Sequence, residues 1–141
     1  MVATVYAPHA RGYFFLFDDF ATFGESGRLP VARILGSPAF DRYLPLTYLL
    51  EKAEFHLFGW SHPGAYAVVS IALHLANTAL VYLLGRHVCR SAQGALIAGG
   101  AFLLSPWSSE AFFWVTGQCD LVLLTINTQT LYGLAPVSLV W

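Results

Sequence analysis

Hydrophobic positions dominate the second half of the chain, where three long stretches contain no Asp, Glu, Lys or Arg. These stretches lie between Glu54 and Arg86, between Arg90 and Glu110, and after Asp120. Each is close to or longer than the roughly 20 residues that an apolar helix needs to cross the hydrocarbon core of a bilayer. The pattern predicts three membrane-spanning helices, over residues 64–84, 91–105 and 121–141.

Polar side chains interrupt the first predicted span at His74 and Asn77. The two positions are about one helical turn apart and therefore point the same way. Polar groups at this depth normally face other helices, so we expect an interhelical hydrogen bond rather than a direct role in catalysis.

The second predicted span contains pairs of small residues at helical spacing, which would let a neighbouring helix approach closely. The pairs are Gly94 with Ala98 and Ala95 with Gly99. Pro106 ends this span because proline cannot continue the helical hydrogen-bond ladder. The third predicted span is less uniformly apolar, because residues 127–130 are polar.

Residues 18–63 contain most of the charges and several glycines and prolines, which predicts a loop outside the membrane. The acids are Asp18, Asp19, Glu25, Asp41, Glu51 and Glu54, and the bases are Arg28, Arg33, Arg42 and Lys52. Apolar residues recur at helical spacing at Leu46, Leu49, Leu50, Ala53 and Leu57. Because Pro45 suits a first turn and Gly59 a helix exit, we predict an amphipathic helix over residues 45–58. We expect it to lie against the membrane surface or the membrane domain, with Glu51, Lys52 and Glu54 between its apolar positions.

The turn predicted between the first two spans, residues 85–90, contains Arg86, His87 and Arg90 but no acid. Basic residues are enriched in cytoplasmic loops, so we predict this turn on the cytoplasmic face. Residues 18–63 and 106–120 then lie on the outer or luminal face, where acidic groups converge. Cys89 and Cys119 are predicted at opposite faces, too far apart for a disulfide.

Composition supports a membrane protein over a soluble one. Charged residues make up 11% of the 141 residues, whereas soluble proteins contain about 25%. The formal net charge of −1 gives no attraction for nucleic acid. Cysteines and histidines lack metal-ligand spacing, and neither a phosphate loop nor a nucleophile elbow occurs, so no metal site is assigned. We predict an all-α membrane protein, a fragment of a multi-span helical bundle with an outer amphipathic helix.

The order of features also resembles a known family. An acidic pair is followed by Leu57-Phe58-Gly59, a span with Leu73-His74, a basic turn, and then Pro106-x-x-x-Glu110 and Gly117-x-x-Asp120. This order is similar to the N-terminal part of the GT-C membrane glycosyltransferases, above all to the protein O-mannosyltransferase-like branch and the related transmembrane proteins with tetratricopeptide repeats.

The best segment of this resemblance is residues 105–121. The family's H-P-x-x-x-E and G-R-x-D patterns are met at unbroken spacing, with two departures: Ser105 replaces the histidine and Gln118 replaces the arginine. The family has a membrane helix before the acidic pair and many spans after the third. We therefore interpret the chain as a fragment that is inactive alone.

The resemblance implies an enzyme that takes a sugar from a polyprenyl-phosphate carrier and transfers it on the outer or luminal side. A multi-pass protein of the bacterial inner membrane or the endoplasmic reticulum membrane is expected. Its expected partners are membrane lipid and the lipid-linked donor, and the acceptor is unassigned. No cofactor is assigned, although a divalent metal could serve at the departing phosphate.

The resemblance also implies site residues. Asp18 is the candidate base that takes the acceptor's proton, and Asp19 either orients it or is itself the base. Glu110 and Asp120 would line the same outer cavity in supporting roles, or cap a re-entrant segment. The candidates for contact with the lipid phosphate are Arg28, Arg33 and Arg42, although pairing with nearby acids is the simpler interpretation of each.

Two other classes stay open. A transporter or channel fragment would use His74 and Asn77 in a substrate or proton path. A non-catalytic membrane scaffold would need none of the acids. Transport sites lie near the bilayer midplane, whereas the acids here cluster in the predicted outer loops, which favours the glycosyltransferase.

Overall fold

The computed structural model describes residues 15, 17–36, 43–105 and 117–138. Within these ranges the regular structure consists of helices and no strand, which confirms the all-α prediction. The helices are α1 (Phe17–Arg28), α2 (Val31–Gly36), α3 (Pro45–Phe58), α4 (Pro63–Cys89), α5 (Ala92–Leu103) and α6 (Gln118–Ser138), and a 3-10 turn, Gly59–Ser61, joins α3 to α4.

The ends of α3 follow the signals in the sequence. Pro45 occupies the first turn, where its missing N–H group costs no hydrogen bond. Gly59 ends the helix with φ at 54°, and its N–H donates to the carbonyl of Phe55. Residues that carry a Cβ rarely adopt a backbone with positive φ, so glycine suits the exit from α3. The predicted bounds of this helix are confirmed.

Helix α4 is 27 residues long, which corresponds to about 40 Å. Within the described ranges it is the one helix of at least 18 residues whose composition suits a membrane crossing. The predicted turn over residues 85–90 is wrong in part, because α4 continues to Cys89. The chain reverses only at Arg90, whose φ is 50°. Ser91 then starts α5, its Oγ accepting from the N–H of Gly94 at 3.4 Å.

The helices at the other two predicted spans do not have both the length and the composition of a membrane crossing within the described residues. Helix α5 is apolar but contains 12 residues, about 18 Å, against a hydrocarbon core of about 30 Å. Helix α6 contains 21 residues and begins three residues before the predicted span. Crossing of the membrane by α5 and α6 therefore stays a prediction.

Helix α4 packs against both α5 and α6. A Cβ added at Gly99 would lie 3.3 Å from the Cβ of Tyr82, and one added at Gly85 would lie 3.1 Å from the Cα of Ala95. Ala95 is fully buried. The predicted close approach at the small residues of α5 is confirmed.

Buried polar side chains join α4 to both neighbours. His74 Nε2 lies 3.3 Å from the Leu103 carbonyl of α5. Asn77 Nδ2 donates to the Leu121 carbonyl of α6 at 2.9 Å, and Thr125 Oγ1 donates to Asn77 Oδ1 at 2.6 Å. The predicted interhelical hydrogen bonding of His74 and Asn77 is confirmed.

Where the structure describes it, the segment before α4 is mostly helical rather than the loop that its glycines and prolines suggested. Helices α1 and α2 both pack on α3. A Cβ added at Gly27 of α1 would lie 2.5 Å from the ring of Phe55 of α3, so any larger residue would force that ring to move. Lys52 Nζ donates to the Gly27 carbonyl at 2.8 Å. These contacts hold the C-terminal half of α1 against α3.

The orientation of α3 corrects the prediction for its faces. Glu51 and Glu54, placed between the apolar positions, are 1% and 3% exposed, whereas Leu46 and Leu57 are 55% and 76% exposed. The acidic side of α3 faces the interior because polar groups from α1, α4 and α6 meet it there. Part of its apolar side faces outward.

Candidate functional site

A buried polar cluster lies where four helices meet. Its members are Asp19 of α1, Glu51 and Glu54 of α3, Ser70 of α4 and Gln118 of α6, and each is at most 3% exposed. We refer to these five residues as the carboxyl cluster. Three acids at one buried position are unusual, because acidic side chains are almost never fully buried unless they are paired.

Gln118 connects the cluster across three helices. Its Nε2 donates to Glu54 Oε1 at 3.2 Å, to Ser70 Oγ at 2.9 Å and to the Tyr66 carbonyl at 3.2 Å. Ser70 Oγ in turn donates to the Tyr66 carbonyl at 3.2 Å. The amide at position 118 therefore fixes Glu54 relative to the first turns of α4.

Burial changes the acidity of both glutamates. Loss of solvation raises the pKa of Glu51 from 4.5 to about 8, with smaller contributions from the negative charges of Glu54 and Asp19; a hydrogen bond from Ser26 opposes the rise. Loss of solvation also raises the pKa of Glu54, to about 7, against the opposing hydrogen bond from Gln118. Glu51 therefore holds a proton at neutral pH more firmly than Glu54 does.

An aromatic group covers one side of the carboxyl cluster. Phe23 and Tyr66 are fully buried, with ring centroids 5.0 Å apart and perpendicular planes. Phe58 packs on Tyr66 with centroids 5.6 Å apart. Tyr66 Oη donates to the Gly59 carbonyl at 3.0 Å, which satisfies its hydroxyl. An apolar surrounding of this kind makes charge in the cluster costly.

The structure brings one predicted catalytic residue into the cluster. Asp19 is 0% exposed and acts electrostatically on Glu51. For Asp18 the structure describes the backbone, which lies in the first turn of α1. Asp120 is exposed in the first turn of α6, with its Oδ1 3.7 Å from Cys119 Sγ.

The remaining predicted site residues lie away from the cluster or outside the described ranges. Arg28 and Arg33 are exposed. Glu110 and Arg42 lie outside the described residues. Cys89 and Cys119 are not joined by a disulfide.

Sequence reasoning missed Glu51, Glu54 and Gln118. One signal was available for the glutamates, since their spacing of three residues puts them on a common helix face. Gln118 stood out only as a departure from the family's arginine. No pattern in the chain showed that these residues meet across α3 and α6, because 64 residues separate Glu54 from Gln118.

The described residues offer no group of three or more His, Cys, Asp or Glu side chains that could hold a metal ion. A divalent metal at the departing phosphate stays a prediction.

Comparison with known proteins gives one informative similarity. The chain is 31% identical over 121 residues to a protein from Drosophila melanogaster named "Protein O-mannosyl-transferase Tmtc1", and the match covers 76% of this chain. The chain spans only 14% of that protein's length. No family model matches the chain, and neither does any solved structure. The similarity supports a glycosyltransferase-like relationship for this segment.

Proposed function

We propose that the chain is part of a membrane glycosyltransferase that moves a sugar from a polyprenyl-phosphate carrier to an acceptor on the outer or luminal side. The observation that carries the proposal is the similarity to a protein O-mannosyl-transferase over 76% of the chain. Helix α1, which carries the acidic pair, contacts α4 through the rings of Phe23 and Tyr66, and α4 is long enough to cross a bilayer. This arrangement also supports the proposal.

The proposed membrane arrangement is multi-pass, with α4 as the first crossing of this segment and α5 and α6 as further membrane helices. The bases Arg86 and Arg90 lie at the C-terminal end of α4. The carboxyl cluster meets α4 at Ser70, 16 positions before Arg86, or about 24 Å along the helix axis. This separation of acids from bases supports a cytoplasmic end at Arg86 and an outer end at the cluster.

The chemistry requires a base for the acceptor hydroxyl and compensation of charge on the departing lipid phosphate. Asp19 is buried, which favours Asp18 as the base and Asp19 as its positioning residue. Glu110 and Asp120 are proposed to support the outer cavity. Arg28, Arg33 and Arg42 are proposed contacts to the lipid phosphate, a role that suits the exposure of the first two.

The test is glycosyl transfer by membranes that contain equal amounts of full-length variants, with donor binding measured separately. Asp18→Asn keeps the size of the side chain but cannot accept a proton at neutral pH, so transfer should fall about 100- to 10,000-fold while donor binding changes little. Glu25→Gln is the matched control, because Glu25 is an exposed acid of the same helix. Near-normal transfer by Asp18→Asn, Asp19→Asn and the double variant would remove the pair from the chemistry.

The isolated chain should lack activity. A lipid-linked donor needs a cavity walled by several helices, and a few crossings cannot supply one. Robust sugar transfer by the purified 141-residue chain would contradict this assignment.

The hydrogen bonds between helices favour the glycosyltransferase over the alternative assignment as a transporter. It required His74 and Asn77 to line a path for a substrate or proton, but both make hydrogen bonds to neighbouring helices. A scaffold role would gain if the acidic pair proved dispensable.

A further inference from the structure

Three buried oxygen atoms of the carboxyl cluster have no hydrogen-bond donor among the described residues: Glu51 Oε2, Glu54 Oε2 and Gln118 Oε1. All three side chains are at least nine-tenths buried. The amide of Gln118 is bonded to Glu54 and therefore lies at the cluster itself. Buried polar atoms are nearly always partnered, so the cluster needs a donor that ionised carboxylates cannot supply.

A carboxylic acid hydroxyl is the simplest such donor. Neighbouring carboxylates in a buried position cannot all ionise, because each disfavours the charge of the next. Glu54 has a donor in the Gln118 amide, which favours its ionised form. Glu51 has only the Ser26 hydroxyl, whose single hydrogen also reaches the Phe23 carbonyl at 3.4 Å. Glu51 therefore holds its proton more firmly than Glu54 does.

We propose that Glu51 is a positioning residue that stays protonated at neutral pH, and that this proton allows the acidic end of α1 to pack against α3. The consequence for catalysis rests on the proposed function, because the acidic end of α1 carries the proposed base. The protonation of Glu51 does not depend on the proposed function.

The surroundings of Glu51 contain no compensating base in the described part of the chain. The polar groups on the elements packed around α3 are Asp19 and Ser26 of α1, the Tyr66 hydroxyl of α4 and Gln118 of α6. Arg33 of α2 and Asp120 of α6 are exposed. Within α3 itself, Glu54 and Lys52 are the nearest charged residues. Lys52 directs its ammonium group to the Gly27 carbonyl. Loss of the proton from Glu51 would thus put a new negative charge beside Asp19 and Glu54.

The two ends of α1 should respond differently to that charge. The C-terminal half is held by the contact of Gly27 with Phe55 and by the bond from Lys52. Asp19 lies eight positions earlier, about 12 Å along the helix axis. Repulsion from ionised Glu51 therefore acts on the end of α1 that carries Asp18 and Asp19, and it should loosen that end first.

The experiment measures amide hydrogen exchange of the α1 peptide in the intact protein in lipid nanodiscs, at neutral and at alkaline pH. Variants are compared only at equal pH, because the intrinsic exchange rate itself changes with pH. Glu51→Gln mimics the protonated side chain and should match the wild type at neutral pH. At alkaline pH the wild type should exchange about tenfold faster than Glu51→Gln, since one pKa unit corresponds to a tenfold change in an equilibrium. Glu25→Gln should follow the wild type.

A second measurement identifies the group that carries the proton. The infrared carbonyl band of a protonated carboxylic acid should be present in the wild type at neutral pH and weaker in Glu51→Gln, where Glu54, with a pKa of about 7, still holds part of a proton. Equal exchange of wild type and Glu51→Gln at alkaline pH, or a band of undiminished intensity in Glu51→Gln, would overturn the proposal. If Glu51→Gln does not fold, the Glu54→Gln variant serves as the test. It should retain both the infrared band at neutral pH and the faster exchange of α1 at alkaline pH, and loss of either would contradict the assignment to Glu51. Neither measurement uses sugar transfer, so an inactive protein with the expected exchange would refute only the proposed function.

Discussion

Replacement of Asn77 by leucine tests how α4 holds α6. Asn77 is fully buried and makes two contacts across the interface, one to the Leu121 carbonyl and one from the Thr125 hydroxyl. Leucine has a similar size but can make neither bond. Because Thr125 Oγ1 also lies 2.8 Å from the Leu121 carbonyl, the carbonyl and the hydroxyl retain each other as partners after the substitution.

The expected cost follows from the number of bonds lost. Interhelical hydrogen bonds in a membrane protein contribute about 0.6 kcal/mol on average and up to about 1.7 kcal/mol. Loss of two bonds at Asn77 should therefore lower the free energy of unfolding by roughly 1–3 kcal/mol. Alanine should cost more than leucine, because it would also leave a cavity.

The measurement is unfolding of the chain by increasing SDS in mixed micelles, followed by helicity and by exchange of the α6 amides. Thr78→Val is the matched control: Thr78 Oγ1 donates to the His74 carbonyl within α4, so its loss removes no contact between helices. Asn77→Leu should unfold at a lower SDS fraction than the wild type, and Thr78→Val should stay close to it. Equal stability of the two variants would refute the view that Asn77 fastens α6.

Helix packing, protonation and topology each allow another measurement. Gly99→Leu should lower the unfolding free energy by about 1–3 kcal/mol through overpacking against α4, whereas the same change at Gly100, which has open space around it, should cost little; similar losses would contradict the packing. Burial raises the pKa of Glu51 from 4.5 to about 8 in the folded state, so Glu51 should make stability fall as pH rises between those values, by up to about 1.4 kcal/mol per pH unit. Glu54 should add to the fall up to about pH 7, and stability that rose over this range would have the wrong sign. In sealed vesicles an impermeant thiol reagent should reach Cys89 only from the cytoplasmic side and Cys119 only from the outer side, and labelling of both from one side would exclude the proposed topology.

Local signals predicted the helices well where side-chain chemistry acts on its own segment. Pro45 and Gly59 set the ends of α3 because a missing N–H group and a left-handed backbone have the same consequence in any fold. The turn at residues 85–90 was misplaced because its charged residues indicate the side of the membrane, not the end of a helix. The basic side chains sit in the last turn of α4, where cations suit the helix dipole.

Pairs of small or polar residues within one segment also gave reliable information. The spacing of Ala95 and Gly99 predicted close packing, and that of His74 and Asn77 predicted contact with other helices. Neither pair could identify its partner. The residues that they contact lie on α4 for the first pair and on α5 and α6 for the second.

The candidate site depended on contacts that the order of residues does not contain. The acidic pair drew attention to Asp19 but not to the glutamates that it meets on α3. An amphipathic pattern shows which residues share a helix face, and the charged face of such a helix normally lies in water. In α3 that rule failed, because Gln118, Ser70 and Asp19 gather on its acidic side and make burial of Glu51 and Glu54 tolerable.

The sequence by itself determined that the chain is helical, that it contains a segment able to cross a bilayer, and that bases and acids lie at opposite ends of that segment. These properties depend on residue type and spacing over a few turns, and both can be read along the chain. The tertiary structure alone decided that three carboxyl groups share a buried position without a base beside Glu51 or Glu54 in the described residues. Whether an acid is ionised depends on the groups that surround it in space, and here those groups come from four helices separated by as many as 64 residues.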